Sequence, residues 1–234
     1  MKWGTKYGPE FVNKLRSMVR RHLARPHRFV CFTDDAAGLD LAAGIEALPL
    51  PVMDLPPGKE RGWRKLSTFA APLADLRGPT LFLDVDVVIT GALDAFFEHP
   101  GKFCIIHDWA RPHRITGNSS VYRFEAGAHP DLLAYFLAHL DQVKREVRNE
   151  QEYLTREIHR QGLLTYWPAD WCVSFKHTCL PVFPLNFIQV PPIPPGARIV
   201  VFHGNPNPDE ALIGKGHGLL RYVRPTPWIA EHWR

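Results

Sequence analysis

Residues 81–89 place two aspartates between two apolar runs, and this stretch constrains the fold of the chain more than any other. Residues 80–83 have the length and composition of a short buried strand, and the strand leads directly into Asp84. Asp86 follows two positions later, and a second apolar run continues at 87–89. Side chains two residues apart on extended backbone point to the same side. The two carboxylates are therefore expected to lie next to each other.

Neighbouring carboxylates repel each other unless a positive charge lies close to both. A hard divalent cation bound by oxygen ligands supplies that charge and also bridges to phosphate oxygens. In open α/β sheets, ligands collect beyond the carboxyl ends of the strands, where Asp84 and Asp86 are expected. The structural alternative is that Asp84 caps a turn and Asp86 is solvated. The apolar runs on both sides favour the metal site.

The rest of the chain alternates short apolar runs with amphipathic stretches. Strands are predicted at 28–32, 80–83, 103–106, 121–124, 163–167 and 198–202, and helices at 9–25, 63–76, 130–147 and 149–160. Residues 36–60 and 181–196 carry glycine and proline signals and are predicted to be mostly loop. The alternation predicts an α/β fold with a sheet between helices. Without a convincing linker, we expect one domain over residues 1–234.

Composition excludes several other classes of protein. The 28 Lys and Arg residues are scattered among 24 Asp and Glu, so no basic stripe for nucleic acid is present. No apolar run is long enough to span a membrane, and the first residues lack a signal peptide. The four cysteines form no CxxC pair, and Cys31 and Cys104 lie in apolar runs. We therefore expect a cytoplasmic protein with buried free thiols.

Two enzyme classes fit the Asp84–Asp86 triplet. Haloacid-dehalogenase phosphatases follow a strand with Asp-x-Asp, the first aspartate acting as nucleophile and the second as general acid. The triplet here resembles that motif, but it lies more than 80 residues into the chain, whereas that family's motif opens the domain. The late Gly-Asp-x-x-x-Asp element of the phosphatases has no match downstream. A phosphatase is therefore kept as the alternative.

A set of motifs in a fixed order favours the other class. The motifs occupy residues 2–7, 33–35, 62–66, 83–86, 118–121, 150–151 and 202–204. Together they resemble the family 8 relatives among the GT-A glycosyltransferases over most of the chain. The resemblance implies a Rossmann-like mixed sheet flanked by helices, the GT-A fold. It also implies transfer of a sugar from a nucleoside-diphosphate sugar, of the UDP-sugar type, to an acceptor, with retention of configuration.

The resemblance implies roles for individual residues. Asp84, Asp86 and His203 would hold Mn²⁺ or Mg²⁺, and a neutral imidazole is a good ligand for manganese. The nucleotide donor would be bound by Gly4, Thr5, Tyr7, Asp34, Lys65, Asp84 and Val85. Tyr7 would stack on the base; the alternative is that it packs on the core at the start of a helix.

Asn118, Glu150 and Gln151 match catalytic positions that contact the donor sugar. The chain departs from the family here, because Glu150 stands where an aspartate is usual. If the enzyme inverts configuration instead, Asp108 and Glu150 are the candidate bases. A lysine that usually follows the His-Gly pair is replaced by residues 205–208, and Lys215 is the next lysine.

Two further alternatives stay open at the level of sequence. The loop 107–118 carries aromatic and charged residues and lines the acceptor site or forms a solvated connector. The tail from 219 to 234 contacts a membrane surface or the acceptor, or it packs back on the domain. The chain is also compatible with a sugar-nucleotide binding protein that has lost its chemistry.

Overall fold

A computed structural model describes residues 1–56, 62–216 and 218–234 of the chain. These residues form two compact units, each assembled from segments that are distant in sequence. The first unit consists of Met1, Pro49–Phe82 and Phe96–Trp167, and the second of Lys2–Leu48, Leu83–Ala95 and Pro168–Arg234. The single domain over residues 1–234 stays a prediction.

Nine strands and seven α-helices are found in the described ranges. The strands are β1 (Phe29–Thr33), β2 (Ile45–Pro49), β3 (Pro79–Leu83), β4 (Val87–Ile89), β5 (Phe103–His107), β6 (Gly117–Glu125), β7 (Leu164–Tyr166), β8 (Cys172–Ser174) and β9 (Ile199–Val201). The helices are α1 (Pro9–His22), α2 (Asp94–Glu98), α3 (Pro130–Ala138), α4 (Leu140–Glu146), α5 (Glu150–Arg160), α6 (Pro208–Leu212) and α7 (Trp228–His232). No helix in these ranges is both long enough and apolar enough to cross a membrane.

The second unit is organised around the sheet β4-β9-β8. Strand β9 is parallel to β8 and antiparallel to β4, and all nine residues of the three strands are buried. Helix α1 packs against β4. Pro9 begins this helix, a position where the missing N–H costs nothing, and basic residues occupy its last turn, where they interact favourably with the helix dipole. The smaller sheet β1-β2 belongs to the same unit.

The first unit is organised around the sheet β3-β6-β5-β7. Strand β5 is antiparallel to β6 and parallel to β7, so the sheet is mixed. The pairing register of β5 and β6 shifts between Ile105 and Ile106 of β5. Ile105 pairs with Tyr122 of β6, but Ile106 pairs with Asn118. The residues 119–121 therefore form a bulge, a device that turns side chains away from the regular alternation. Helix α5 packs against β6.

Most predicted elements are confirmed with changed boundaries. The predicted helix 130–147 is two helices, because His139 leaves helical geometry between α3 and α4. The helix predicted at 63–76 is a 3₁₀-helix over Trp63–Phe69 that ends where Ala70 becomes extended, two residues before Pro72. The expected loop at 36–60 contains β2, and its residues 57–60 lie outside the described part of the chain.

The backbone around the aspartate pair also differs from the prediction. Strand β3 ends at Leu83, but Val85 and Asp86 form a turn, and β4 begins only at Val87. The expectation that Asp84 and Asp86 lie on continuous extended backbone was therefore wrong. Strand β3, predicted to be buried, is only partly buried, and it belongs to a different sheet from β4.

Candidate functional site

The sheet of the second unit brings two candidate metal ligands, Asp86 and His203, to the same edge, although they lie far apart in sequence. Its register pairs Val87 of β4 with Val201 of β9, and Val201 with Ser174 of β8. Because β4 is antiparallel to the other strands, the chain enters β4 where it leaves β8 and β9. Asp86 immediately precedes Val87, and His203 follows Val201 by two residues. This is the carboxyl edge of β8 and β9, where ligands of α/β sheets bind.

A tyrosine holds the second aspartate of the pair. The Tyr7 hydroxyl donates to Asp86 Oδ2 at 2.5 Å and lies 3.5 Å from Asn207 Oδ1. Asp86 is only 7% exposed. The pKa of Tyr7 is raised far above its usual value, mainly by burial. The charge and hydrogen bond of Asp86 add to this effect, and the charges of Asp84 and Asp209 contribute further. The phenol therefore stays protonated as a donor, and its surroundings are rich in negative charge.

His203 is fixed by residues from β8 and the π-helical turn Phe175–Cys179 that follows it. Its Nε2 atom forms a hydrogen bond with Ser174 Oγ at 2.8 Å, and Lys176 Nζ donates to the His203 carbonyl at 3.0 Å. The His177 ring stacks on the His203 ring with centroids 5.4 Å apart. Burial and the charges of Lys176 and His177 lower the pKa of His203 to about 4. The imidazole is therefore neutral near pH 7, the form that binds metals.

Two carboxylates and a neutral imidazole have the donor chemistry that Mn²⁺ accepts, and carboxylates alone suit Mg²⁺. Within residues 1–56, 62–216 and 218–234, however, no three His, Cys, Asp or Glu side chains are gathered closely enough to hold a metal ion. The ligand set Asp84, Asp86 and His203 therefore stays a prediction. Val85, predicted to contact the donor, is buried in the turn between the two aspartates.

The residues predicted at the nucleotide base lie where two segments leave the same sheet edge. Lys2 forms a parallel bridge with Thr33, the last residue of β1, so the chain after each of them continues in the same direction. The Gly4 N–H then donates to Asp34 Oδ2 at 2.9 Å. Gly4 has a φ of 62°, a conformation that favours glycine, and Thr5 beside it is exposed. The structure therefore brings Gly4 and Asp34 together, and their role at the nucleotide stays a prediction.

The first unit contains a second polar cluster, built on α5, β6 and the 3₁₀-helix. The Ser119 hydroxyl donates to Glu150 Oε1, and Lys65 Nζ lies 3.8 Å from the same oxygen. Lys65 also approaches Ser119 Oγ at 3.4 Å. The side chains of Lys65 and Glu150 are 14% and 6% exposed. Gly62 borders this cluster, because a Cβ atom there would lie 2.5 Å from Glu150 Oε2.

The remaining predicted residues of the first unit are close in sequence to this cluster. Asn118 lies beside the bulge of β6, and its Oδ1 accepts from the Ser120 N–H at 3.0 Å. Gln151 is half-buried in the first turn of α5. Asp108, a candidate base, is buried, and its carboxylate accepts from the Ala110 N–H at 3.0 Å, which stabilises the turn after β5. The catalytic roles of Asn118, Glu150 and Gln151 stay predictions.

Three residues near the aspartates and His203 were not predicted from sequence. Ser174 and Lys176 were missed because β8 is only three residues long and gives no periodic signal. Asn207 could have been found, because an Asn followed by Pro and, at the third position, by Glu210 is the pattern of a capped helix start. Lys215 follows the end of α6 at Leu212 and pairs with Glu210 at 2.8 Å.

No family model and no curated protein matches this sequence. Solved structures do match the fold. A galactosyltransferase, LgtC, solved in complex with donor and acceptor sugar analogues, matches with a TM-score of 0.56 and 12% identity over 86% of this chain and 85% of LgtC. An active-site variant of LgtC with glutamine changed to glutamate matches with a TM-score of 0.57, 12% identity and the same shares.

A third match is the glycosyltransferase GlyE of Streptococcus pneumoniae TIGR4, with a TM-score of 0.57 and 13% identity. It includes 88% of this chain but only 55% of GlyE, so this chain corresponds to about half of that protein. At these identities the likeness concerns the fold, and none of the three matches is a phosphatase. The chain therefore shares the fold of these glycosyltransferases, the GT-A fold that its ordered motifs predicted.

Proposed function

We propose that this chain is a metal-dependent glycosyltransferase that moves a sugar from a UDP-sugar type of donor to an acceptor with retention of configuration. The observation that carries the proposal is the buried Asp86 carboxylate, held by Tyr7 at the carboxyl edge of a sheet in a GT-A fold. LgtC, which shares the fold, was solved with donor and acceptor sugar analogues.

Asp84 and Asp86 would hold Mn²⁺ or Mg²⁺, with His203 as a further ligand. When bound, the cation supplies positive charge to the diphosphate leaving group, where negative charge develops during transfer. The protein's own contribution is orientation. Tyr7 fixes the Asp86 carboxylate, and Ser174 fixes the His203 ring, as residues behind metal ligands commonly do.

Lys176 is our proposal for the protein's own positive charge at the diphosphate. Its ammonium group donates to the His203 carbonyl and lies 3.6 Å from where a Cβ of Gly204 would be. Lys176 therefore lies close to the pair His203–Gly204. The lysine that usually follows this pair in the family is replaced here by residues 205–208. Lys215 is a poorer candidate because it already pairs with Glu210 at 2.8 Å. Lys65 remains a second proposed contact, from the first unit.

The nucleotide would be bound by Gly4, Thr5, Tyr7, Asp34 and Val85, and the donor sugar by Asn118 and Gln151. The active-site variant of LgtC changes a glutamine, which supports a role for an amide at such a position. Glu150 is held by Ser119 and faces Lys65, so we assign it the positioning of that lysine.

The four cysteines support the proposed cytoplasmic location. All four are buried and form no disulfide. Burial raises the pKa of each thiol, to about 12 for Cys179 and also upward for Cys31, Cys104 and Cys172. Such thiols are inert and suit a reducing compartment.

The decisive experiment measures thermal stabilisation by nucleoside diphosphates and their sugars, with and without Mn²⁺, for the parent chain, Asp86→Ala and Asp209→Asn. Ligand binding to the native state raises the melting temperature. Asp209 is exposed and influences Tyr7 only through its charge, so Asp209→Asn controls for the loss of one negative charge. We expect Mn²⁺-dependent stabilisation by one nucleotide, lost in Asp86→Ala and kept in Asp209→Asn.

The same samples distinguish the alternatives. Release of nucleoside diphosphate from a sugar donor in the presence of acceptor glycans supports transfer. Binding without release identifies a binding protein that has lost its chemistry. No stabilisation by any nucleotide, together with hydrolysis of a phosphomonoester, would overturn the proposal in favour of a phosphatase.

A further inference from the structure

Apolar side chains are concentrated on one surface of the second unit. We call the exposed apolar side chains of residues 182–190 and 219–222 the apolar patch. Its most exposed members are Val182 at 74%, Leu219 at 73%, Leu220 at 72% and Ile188 at 67%. Scattered exposed apolar residues are common, but a concentrated group of this kind marks an interaction surface.

The two segments of the apolar patch are joined from beneath. Asn186 is fully buried, and its Nδ2 donates to the carbonyl oxygens of Leu219 at 3.2 Å and Tyr222 at 3.1 Å. The Phe187 ring stacks on the Tyr222 ring with centroids 5.0 Å apart. The two exposed loops therefore belong to one surface.

The C-terminal tail anchors this surface to the rest of the unit. Arg224 Nη1 donates to the Phe187 and Ile188 carbonyls at 3.4 and 3.3 Å, and Trp228 Nε1 donates to the Pro191 carbonyl at 2.7 Å. Trp233 is buried. The tail after residue 222 therefore packs back on the unit, while the patch itself stays exposed.

The charged residues in the two segments that carry the apolar patch, and directly after them, have one sign. Residues 181–196 contain no charged side chain at all. Residues 218–224 contain Arg221 and Arg224 and no acidic residue, and Arg221 is exposed. Exposed Leu, Ile and Phe side chains in segments whose charged residues are all arginine complement a surface that is apolar beneath and negatively charged outside. The interface of an anionic phospholipid bilayer has this composition.

We propose that the apolar patch docks peripherally on anionic phospholipid membranes. Leu219, Leu220 and Phe183 enter the boundary between headgroups and acyl chains, and Arg221 contacts lipid phosphates. The affinity then has an apolar part and an electrostatic part, and the electrostatic part is weakened by salt. This proposal is independent of the sugar transfer proposed above.

The test is co-sedimentation of the full chain with vesicles of phosphatidylcholine alone and of phosphatidylcholine mixed with phosphatidylglycerol. We compare the parent with Leu219→Ser/Leu220→Ser and with Arg221→Ser. The control is Leu41→Ser/Val52→Ser, which removes two apolar side chains that are 56% and 95% exposed elsewhere in the chain. Because all these side chains are exposed, the variants are expected to fold, which circular dichroism verifies.

Binding to the anionic vesicles is expected for the parent and the control. We expect about tenfold weaker binding for the double-leucine variant and about fivefold weaker binding for Arg221→Ser, in keeping with the loss of buried methylenes and of one cation near the surface. Equal loss in the control, or no binding by the parent, would overturn the proposal. The proposal would also be overturned if the parent forms a dimer without vesicles and the Leu219→Ser/Leu220→Ser change abolishes that dimer. A second copy of the chain would then cover the apolar patch.

Discussion

The polar clusters of the two units differ in the signs of the charges that they bring together. In the first unit, the Lys65 ammonium and the Glu150 carboxylate lie 3.8 Å apart, both mostly buried, with Ser119 between them. A buried charge of one sign faces a buried charge of the other. In the second unit, Asp86 is held by the neutral hydroxyl of Tyr7.

The surroundings of Tyr7 add further negative charge, because Asp84 and Asp209 also raise its pKa. The Lys65 cluster therefore joins charges of opposite sign, whereas the Tyr7 cluster gathers several carboxylates whose charge the proposed cation would offset. Natural proteins often keep clusters of like charge at functional sites at the expense of stability. The comparison predicts that substitutions in the Tyr7 cluster change activity more than stability and that substitutions in the Lys65 cluster lower stability as well as activity.

The largest expected effect is on catalysis by Asp86→Asn, which keeps an oxygen acceptor for the Tyr7 hydroxyl but removes the charge. We expect sugar transfer to fall roughly 1,000-fold, as when a preorganised electrostatic group is removed. The melting temperature without ligands should change little, because Asn keeps the acceptor for the Tyr7 hydroxyl. Initial rates with Mn²⁺ and thermal scans with a chelator measure the two effects. A loss of stability as large as the loss of activity would break the comparison.

Glu150→Gln tests the opposite cluster. It leaves the Lys65 charge buried without its carboxylate, and we expect a loss of about 3 kcal/mol in the free energy of unfolding. The double variant Lys65→Met/Glu150→Gln should recover most of this loss. Urea denaturation gives both values. The exposed pair Arg28–Glu46 provides the matched control, since Glu46→Gln should cost less than about 1 kcal/mol. Similar costs at the two pairs would contradict a buried structural role for Glu150.

Gly62→Ala probes the contact between the backbone and Glu150. A Cβ atom at this position would lie 2.5 Å from Glu150 Oε2, in addition to the strain of a φ of 79°. We expect a loss of about 2 kcal/mol in unfolding free energy. Gly78→Ala is the control, because Gly78 has a φ of 80° and no atom within 4 Å of such a Cβ. Equal losses at both glycines would mean that only backbone strain matters.

The smallest expected effect is a pH dependence of the first unit. His129 is buried, and burial lowers its pKa below the usual value of 6.5, an effect that Asp131 partly opposes. The unfolded chain therefore binds this proton at a higher pH than the folded chain does. The free energy of unfolding should decline as the pH falls below about 6.5. His129→Asn should reduce this slope in urea titrations. If the slope is unchanged in His129→Asn, the pH dependence belongs to other groups. Above about pH 7.5 the stability curves of the parent and the variant should run parallel.

The sequence predicted the elements whose signals are local and strong. Helix α1 was found because Pro9, the helical spacing of its buried residues and its basic last turn all agree. Asp84 and His203 were placed at strand ends because β3 and β9 are continuous apolar runs.

The sequence failed where tertiary packing decides the local structure. Strand β8 spans three residues, too few for periodicity to show, so Ser174 and Lys176 were missed. The turn at Val85 and Asp86 was taken for a strand because an apolar residue between two aspartates fits either conformation. The short 3₁₀-helix at Trp63–Phe69 has the composition of a longer helix, which Pro72 prevents.

The Tyr7 hydroxyl has a consequence for how the chain is made. It contacts Asp86 and Asn207, which are 79 and 200 positions away along the chain. Proteins are synthesised from the amino terminus, and early segments begin to fold while later ones are still being added. The contact between Tyr7 and Asn207 can form only after the chain has been synthesised through position 207, 200 positions beyond Tyr7. Ribosomes that stop before Asn207 therefore release chains in which the arrangement around Asp86 is incomplete.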